Sequence, residues 1–406
     1  MSKTIQFVPQ AGAPSRACLQ LPNTNDTDMN ISVVSGPSRL SASIINSDGL
    51  IELVPASYPR FDYTNGSCPY YLNEPQKTNK IIGSEDFTIS AWVKVGAGTV
   101  VSPNIIQAPT KVLAYSTRLT VTDASGGIKQ VGMFDGPNNS ASVFARANNN
   151  STKLILSNST LDIKVGFDLI NGTVLFEEGE MIGKITPVAY GFFRCSIVDF
   201  GNTQGDFTIR PYFEQGSSSI YIFGAMMEVG LNITSYIPTT TTQTYTRIQY
   251  RNEIDNLTNY MNLKEGTIIL KYNTQGYKNY YRTIYFSNGS VLSTESYLSI
   301  QQTAQNTIFF TYRNVSPLIT NGVGTTIPYE GDINLGIVYA NNRIEMYING
   351  ELVGSKNQLT TIDYAIPKIS FQRPSSASTW GFFASIKEFE YYNTALTPRE
   401  VISKTE

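Results

Sequence analysis

The sequence predicts an all-β protein in which tandem jelly-roll or β-sandwich domains follow an extended N-terminal arm and end in a short C-terminal helix. Three observations carry this. Strand-length apolar runs recur about every ten residues, each bounded by Gly, Asn or Pro, which is the spacing of sandwiches and jelly rolls. The chain has 406 residues, too many for one compact core and suited to two or three domains. An apolar strand from Tyr221 runs into NITSYIPTTTT, a polar, Pro-stiffened tract of the kind that closes one domain and begins a connector.

Composition narrows the function. Apolar residues make up 41%, enough for real cores, while charged residues are 15%, low against a typical ~25%. A net charge of -2 with scattered basic residues gives no electrostatic reason to expect nucleic acid or an anionic membrane as partner. Histidine is absent, which removes Ser-His-Asp, Cys-His and His-containing zinc chemistry together. Cys18, Cys68 and Cys195 are too widely spaced for a zinc motif and odd in number, so all three read as reduced thiols. MSKTIQFVPQ shows no signal peptide, so synthesis in the cytoplasm is expected, and no segment approaches a membrane span. Asn-x-Ser/Thr triplets such as Asn171–Thr173 reflect composition rather than glycan acceptors.

Along the chain, residues 1 to about 30 hold Pro9, Pro14 and Pro22 without periodicity, and read as a tag or as an arm that orders on docking. Asp48-Gly49 between ASIIN and LIELV predicts a hairpin turn. FTISAWVK predicts a strand with Phe87, Ile89, Ala91 and Val93 on one face, and KLILSNS, GTVLFEE, GFFRCSIVDF and FTIRPYF predict more. In YIFGAMMEVG, Ile220 and Ile222 share one face and Tyr221 and Phe223 the other. LTNYMNLKEGT suggests one helical turn before the strand GTIILKYN. INLGIVYANNRIEMYINGELVGS predicts a three-stranded meander turning at Asn341-Asn342 and Asn349-Gly350. Thr397, Pro398 and Glu400 form a capping box that starts a helix over 397–404.

Two resemblances add to this reading. The passage from Ser35 through PRFDY (59–63), EPQKTN (74–79, with Lys77 where Arg is usual) and SEDF is similar to a pattern of tailed-phage virion proteins. In those it precedes a carbohydrate-binding-like jelly roll. GFFRCSIV resembles a strand of the same family, with Phe192 in place of Trp, and GAMMEVGLNITSYIPT resembles the segment that ends the module. The meander resembles a signature of concanavalin A-like, laminin-G-like sandwiches, as does IKEFEYYNTALTPREVISKTE. The resemblance implies a virion-attachment arm at 1–34, a hairpin and lead-in segment at 35–85 and a carbohydrate-binding-like jelly roll at 86–238. A linker at 239–256 and a concanavalin A-like sandwich at 257–406 complete the division.

The function so implied is that of a head fibre or capsid decoration protein on the virion surface. It would be homotrimeric, anchored to capsid or tail proteins through residues 1–34, and expose lectin-like sandwiches to host glycans. A short tail fibre or receptor-binding protein is the alternative; no long coiled-coil or β-helical shaft supports a long fibre. Sugar binding calls for aromatic platforms beside polar loop residues, a composition met at GYKNYYR with Tyr280 and Tyr281, and at QRPSSASTW with Arg373 and Trp380.

Catalytic alternatives have plainer readings. A capsule polysaccharide depolymerase would need two carboxylates. Glu388 and Glu390 read as a solvated strand face, with a bulge expected between Ile386 and Phe389, and Glu177, Glu178 and Glu180 read as a charged turn. No catalytic residue and no cofactor is therefore assigned. Calcium is the one candidate metal, from the oxygen ligands of Asp48, Asp123, Asp135, Asp255 and Asp332, all placed at turns; no dense ligand loop is present, so no metal site is assigned.

Overall fold

The computed structural model describes residues 4–7, 19–20, 31–34, 42–54, 60–64, 66, 69–149, 151–247, 251–254, 261–262, 264–274, 282–287, 297–303, 307–315, 318–326, 331–340, 343–357, 368–371 and 381–406. Side chains within 1–41 and at a few strand positions are outside that description. Apart from one α-helix and one 3-10 turn (Ala189–Gly191), the regular structure among the described residues is β: two sandwiches, as the sequence predicts.

Local chemistry forms the lead-in segment. β4 (Ser43–Ile45) and β5 (Ile51–Leu53) make the expected hairpin; Gly49 at φ 75° takes the left-handed turn position that a side chain resists, and Asn46 receives the Gly49 amide. Short strands β6 (Phe61–Asp62), β7 (Tyr70–Asn73) and β8 (Lys77–Asn79) follow.

The jelly roll comprises β9 (Val93–Val95), β10 (Val100–Ser102), β11 (Thr117–Val121), β12 (Gly127–Ala147), β13 (Lys153–Asn158), β14 (Ile163–Asp168), β15 (Thr173–Glu178), β16 (Met181–Pro187), β17 (Phe193–Pro211) and β18 (Ser218–Val229). GFFRCSIVDF and FTIRPYF, expected as two strands, are one: β17 pairs with the equally long β12, whose register shifts between Gln130 and Phe134 and between Pro137 and Asn139. Such bulges bend a strand, so one strand serves both layers. A second correction concerns FTISAWVK. Only Val93–Val95 is strand; residues 87–92 turn, with the Asp86 carboxylate accepting the Thr88 amide. The turn brings Phe87 and Trp92 together in the core, ring centroids 5.1 Å apart, and an extended chain would send them to opposite faces.

In β18 the expected faces hold, with Ile220 and Ile222 in the jelly-roll core and Tyr221 and Phe223 on the far side. At Gly224, with φ 59°, the register against β12 slips, and the core positions become Ala225 and Met227. Phe223 and Met226 then join Phe144, Phe192, Tyr236, Ile237 and Ile51 in a second cluster under the lead-in segment.

β19 (Tyr245–Arg247) pairs with β8 and leads to the second sandwich. That unit holds β20 (Arg251–Ile254), β21 (Gly266–Asn273), β22 (Arg282–Ser287), β23 (Tyr297–Gln302), β24 (Thr307–Val315), β25 (Leu318–Thr326), β26 (Asp332–Ala340), β27 (Arg343–Ile348), β28 (Glu351–Lys356), β29 (Lys368–Ser370) and β30 (Ala384–Tyr392). One sheet has the order β30-β21-β26-β27-β28 and the other β25-β24-β23-β22-β29-β20. The β26–β28 meander is as expected, with Leu335, Ile337, Tyr339, Ile344, Met346 and Ile348 facing one core. β30 skips Lys387 against β21, which is the expected bulge. Helix α1 (Pro398–Thr405) opens with the full capping box at Thr397 and Glu400, and its Val401 covers Ile269, Val338 and Tyr347 on the outer face of the sheet.

Strands of the first 34 residues pair with this second sandwich. β1 (Thr4–Phe7) lies antiparallel to β30, β2 (Leu19–Gln20) lies beside β1, and β3 (Ile31–Val34) pairs with β20. Of the stretch expected to hold a helical turn, residues 261–262 and 264–267 are described and none is helical, while Asn341-Asn342 lies outside the described residues. Cys195 is buried with a free thiol whose pKa burial raises; Cys18 and Cys68 lie outside the described residues.

Candidate functional site

The alternation of β17 builds the floor of a cleft. Cys195 and Ile197 point into the jelly-roll core, so Arg194, Ser196 and Val198 point the other way. Cross-strand pairing arranges that face in rows: Ile182, Val198 and Ser140; Lys184, Ser196 and Ser142; Thr186, Arg194 and Phe144. One end is apolar, with Ile182 52% and Phe200 41% exposed. The other end is cationic. Arg194 donates from Nε and Nη2 to Ser142 Oγ at 3.2 and 3.1 Å and lies over the Phe144 ring, 5.5 Å from its centroid. Burial lowers the Arg194 pKa, while the carboxylates of Glu228, Glu74 and Asp62 oppose that shift.

The wall is made by the residues that carry the phage resemblance, brought together from distant parts of the chain. Glu74 lies under two guanidiniums: Arg60 Nη1 donates to its Oε2 at 2.6 Å and Arg247 Nη1 stands 3.2 Å from the same oxygen. The Ser235 amide and hydroxyl complete its shell at 2.7 and 2.6 Å. Burial pushes the Glu74 carboxyl up, but Arg247, Arg60 and Ser235 overturn this and hold it at about 2. Asp62 accepts the amides of Ile45 and Thr64; burial nevertheless raises its pKa, as it does that of Glu228, which takes the Thr234 amide and hydroxyl. Asn79 ties the lead-in to Ala225, Met227 and Ile237.

Floor and wall enclose a cleft of about 770 Å³, bordered on its far side by Asn273, Gly331 and Ser385 of the second sandwich. Tyr70, Phe200 and Tyr236 offer aromatic surface, and Ser196, Thr186, Asn232 and Ser43 polar groups. A cleft of this size with a few convergent polar groups suits a sugar or another small polar ligand. Glu74 is held by two cations, and Asp62 accepts two backbone amides.

The residues singled out from sequence are distributed elsewhere. Tyr280, Tyr281, Arg373 and Trp380 lie outside the described residues. Arg282, which ends GYKNYYR, is buried and donates to the carbonyls of Phe383 and Thr274, a structural role. Glu388 pairs with Lys271 and Glu390 with Lys404. Glu178 pairs with Lys164, and Glu177 accepts the Gly183 amide. Asp48 and Asp123 sit at turns as expected and Asp332 opens β26. Asp135 is a correction: it lies inside β12, paired with Lys80 at 2.5 Å, while Asp255 is outside the described residues. Among the described residues no three acidic, Cys or His side chains converge as a metal site. Sequence reasoning missed Arg194 and Lys184. For Arg194 the signal was present: in FRCSIV a cation and a serine alternate with residues that belong in a core.

No protein-family model and no curated protein matches the chain. Among solved structures, the CBM40 module of the Ruminococcus gnavus IT-sialidase aligns over 36% of this chain and 84% of its own, at 18% identity and a TM-score of 0.31. The NanB sialidase of Streptococcus pneumoniae aligns over 37% of this chain but only 26% of its own, at 17% identity and a TM-score of 0.32. Likeness at this level carries no residue role across. No helix among the described residues is long and apolar enough to cross a membrane.

Proposed function

We propose that the chain is a glycan-binding appendage of a tailed-phage virion, with the cleft between lead-in segment and jelly roll as its sugar site. The cleft carries this reading: an apolar shelf of Ile182, Val198 and Phe200 stands beside Ser196, Thr186 and Asn232, matching the apolar face and hydroxyl rim of a pyranose. The virion assignment rests on the sequence patterns at 35–87 and 191–238. A head fibre or decoration protein fits better than a long tail fibre, because the single helix among the described residues has 8 residues and none of the described strands forms a shaft. In this reading residues 1–34 attach the chain to capsid or tail, with β1 and β3 securing that arm to the second sandwich, and three copies associate. It binds without turnover, since the carboxylates in the cleft are committed to structural partners.

A glycan array on the full chain tests the sugar site, and cryo-electron microscopy of the virion tests the location. Phe200→Ala removes an exposed ring and is expected to weaken sugar binding about tenfold with no loss of thermal stability. Unchanged affinity in that variant contradicts the site. Absence of the chain from purified particles contradicts the virion role and leaves a soluble lectin; reducing-sugar release from host capsule points to a depolymerase.

A further inference from the structure

We infer that the sugar held in the cleft is an acidic one, its anionic group received by Arg194 and Lys184; this rests on the cleft being the sugar site. Arg194 is half-buried at the floor of the cleft. The fully buried cations at the wall, Arg60 and Arg247, are paired with Glu74, whereas the half-buried Arg194 has no carboxylate within ion-pair distance among the described residues. Its two bonds go to a neutral hydroxyl, Ser142 Oγ, and its plane is held by the Phe144 ring. Nη1 makes no hydrogen bond and is not among the buried unsatisfied atoms, so this edge of the fork is open to the cleft.

A guanidinium fixed in this way presents a preorganised donor edge, which suits the planar geometry of a carboxylate. Lys184 adds a second charge. It stands on β16 opposite Ser196, diagonal to Arg194 on the same face, a separation of roughly 7–8 Å between such positions. Lys184 is exposed, lines the cleft and forms no ion pair among the described residues. The carboxylates nearby do not cancel the pair. Glu74 is neutralised by two arginines, Glu228 beside Ser140 accepts the Thr234 amide and hydroxyl, and Asp62 is turned onto the Ile45 and Thr64 amides. An anionic group thus meets two uncommitted cations, with Ser196 and Thr186 beside them and the shelf of Phe200 and Ile182 for the ring.

The test is calorimetric titration of the full chain with hyaluronan hexasaccharide, which carries glucuronic acid carboxylates, and with its carboxyl-reduced neutral form. A sulfated neutral oligosaccharide is a third arm. The acidic hexasaccharide is expected to bind about tenfold more tightly than the reduced one, a preference that weakens with added salt. Arg194→Met and, separately, Lys184→Gln each reduce that preference, while Lys356→Gln, at an exposed edge far from the cleft, leaves it intact. Lys184 is exposed, so its variant reports even where Arg194→Met fails to fold. Preference for the sulfated probe alone supports anion recognition and assigns the group as a sulfate ester. Equal affinity for acidic and reduced sugar overturns the inference and leaves the sugar site standing. If no probe binds, or binding is indifferent to Phe200→Ala, both fail.

Discussion

Replacing Glu74 by glutamine destabilises the jelly roll by about 3–5 kcal/mol, because the buried Arg60 and Arg247 then lose the carboxylate they share. Both arginines are nearly inaccessible, at 2% and 1% exposure, so water cannot replace the lost partner. The substitution also loosens Ser235, and with it the wall of the cleft. Urea unfolding followed by Trp92 fluorescence, in a Trp380→Phe background, reports this unit, since Trp92 belongs to the jelly-roll core. An apolar triple variant, Glu74→Leu with Arg60→Met and Arg247→Met, recovers most of the loss if desolvated charge is its cause.

The same carboxylate sets a pH window. Its folded pKa of about 2 lies below the ordinary 4.5, so the stabilisation it gives is complete above about pH 5. It fades as the pH falls through 4.5 and is gone near 2, where wild type and Glu74→Gln converge. Asp62 and Glu228 act with the opposite sign: their raised pKa values favour the fold at low pH, and that contribution is lost as the pH rises through them. The difference between wild type and Glu74→Gln isolates the Glu74 part. A gap that stays constant from pH 6 to pH 3 contradicts the ion-pair account.

Gly224→Val destabilises by about 3 kcal/mol, from a left-handed backbone forced on a branched residue together with overpacking. A Cβ here lies 3.0 Å from Phe144 Cδ2 and 3.1 Å from Tyr236 Cζ, both part of the cleft. The bulge also decides which residues face which core, since it moves Ala225 and Met227 into the positions that Ile220 and Ile222 begin. Loss of sugar affinity therefore accompanies loss of stability, and Gly224→Ala shows both effects at a smaller size. A valine variant with wild-type unfolding means that β18 runs without the bulge.

What was legible in the sequence is what local chemistry determines. Asp48-Gly49, the Asn349-Gly350 turn and the Thr397–Glu400 box each need only a few adjacent residues, and all three form as expected. The alternating pattern of FTISAWVK misled because Phe87 and Trp92 reach one core through turns, a choice made by the surrounding walls rather than by the segment. GFFRCSIVDF and FTIRPYF looked separate because the polar GNTQG between them resembles a turn, whereas β12 pairs along its whole length. The cleft itself was not legible. Its wall joins Arg60 to Ser235, 175 residues apart, and its floor uses the faces of strands whose other faces gave the apolar pattern. Arg60 and Glu74, which the sequence offered only as part of a resemblance, form a buried ion pair in the fold.

The measurement that tests the account most directly is a crystal structure of the full chain grown with saturating acidic hexasaccharide. The account predicts sugar density in the cleft, its ring against Phe200 and Ile182 and its anionic group within hydrogen-bonding distance of Arg194 Nη1. Sugar seated instead at residues 276–282 or 372–380 with the cleft empty, or no sugar at saturation, contradicts it.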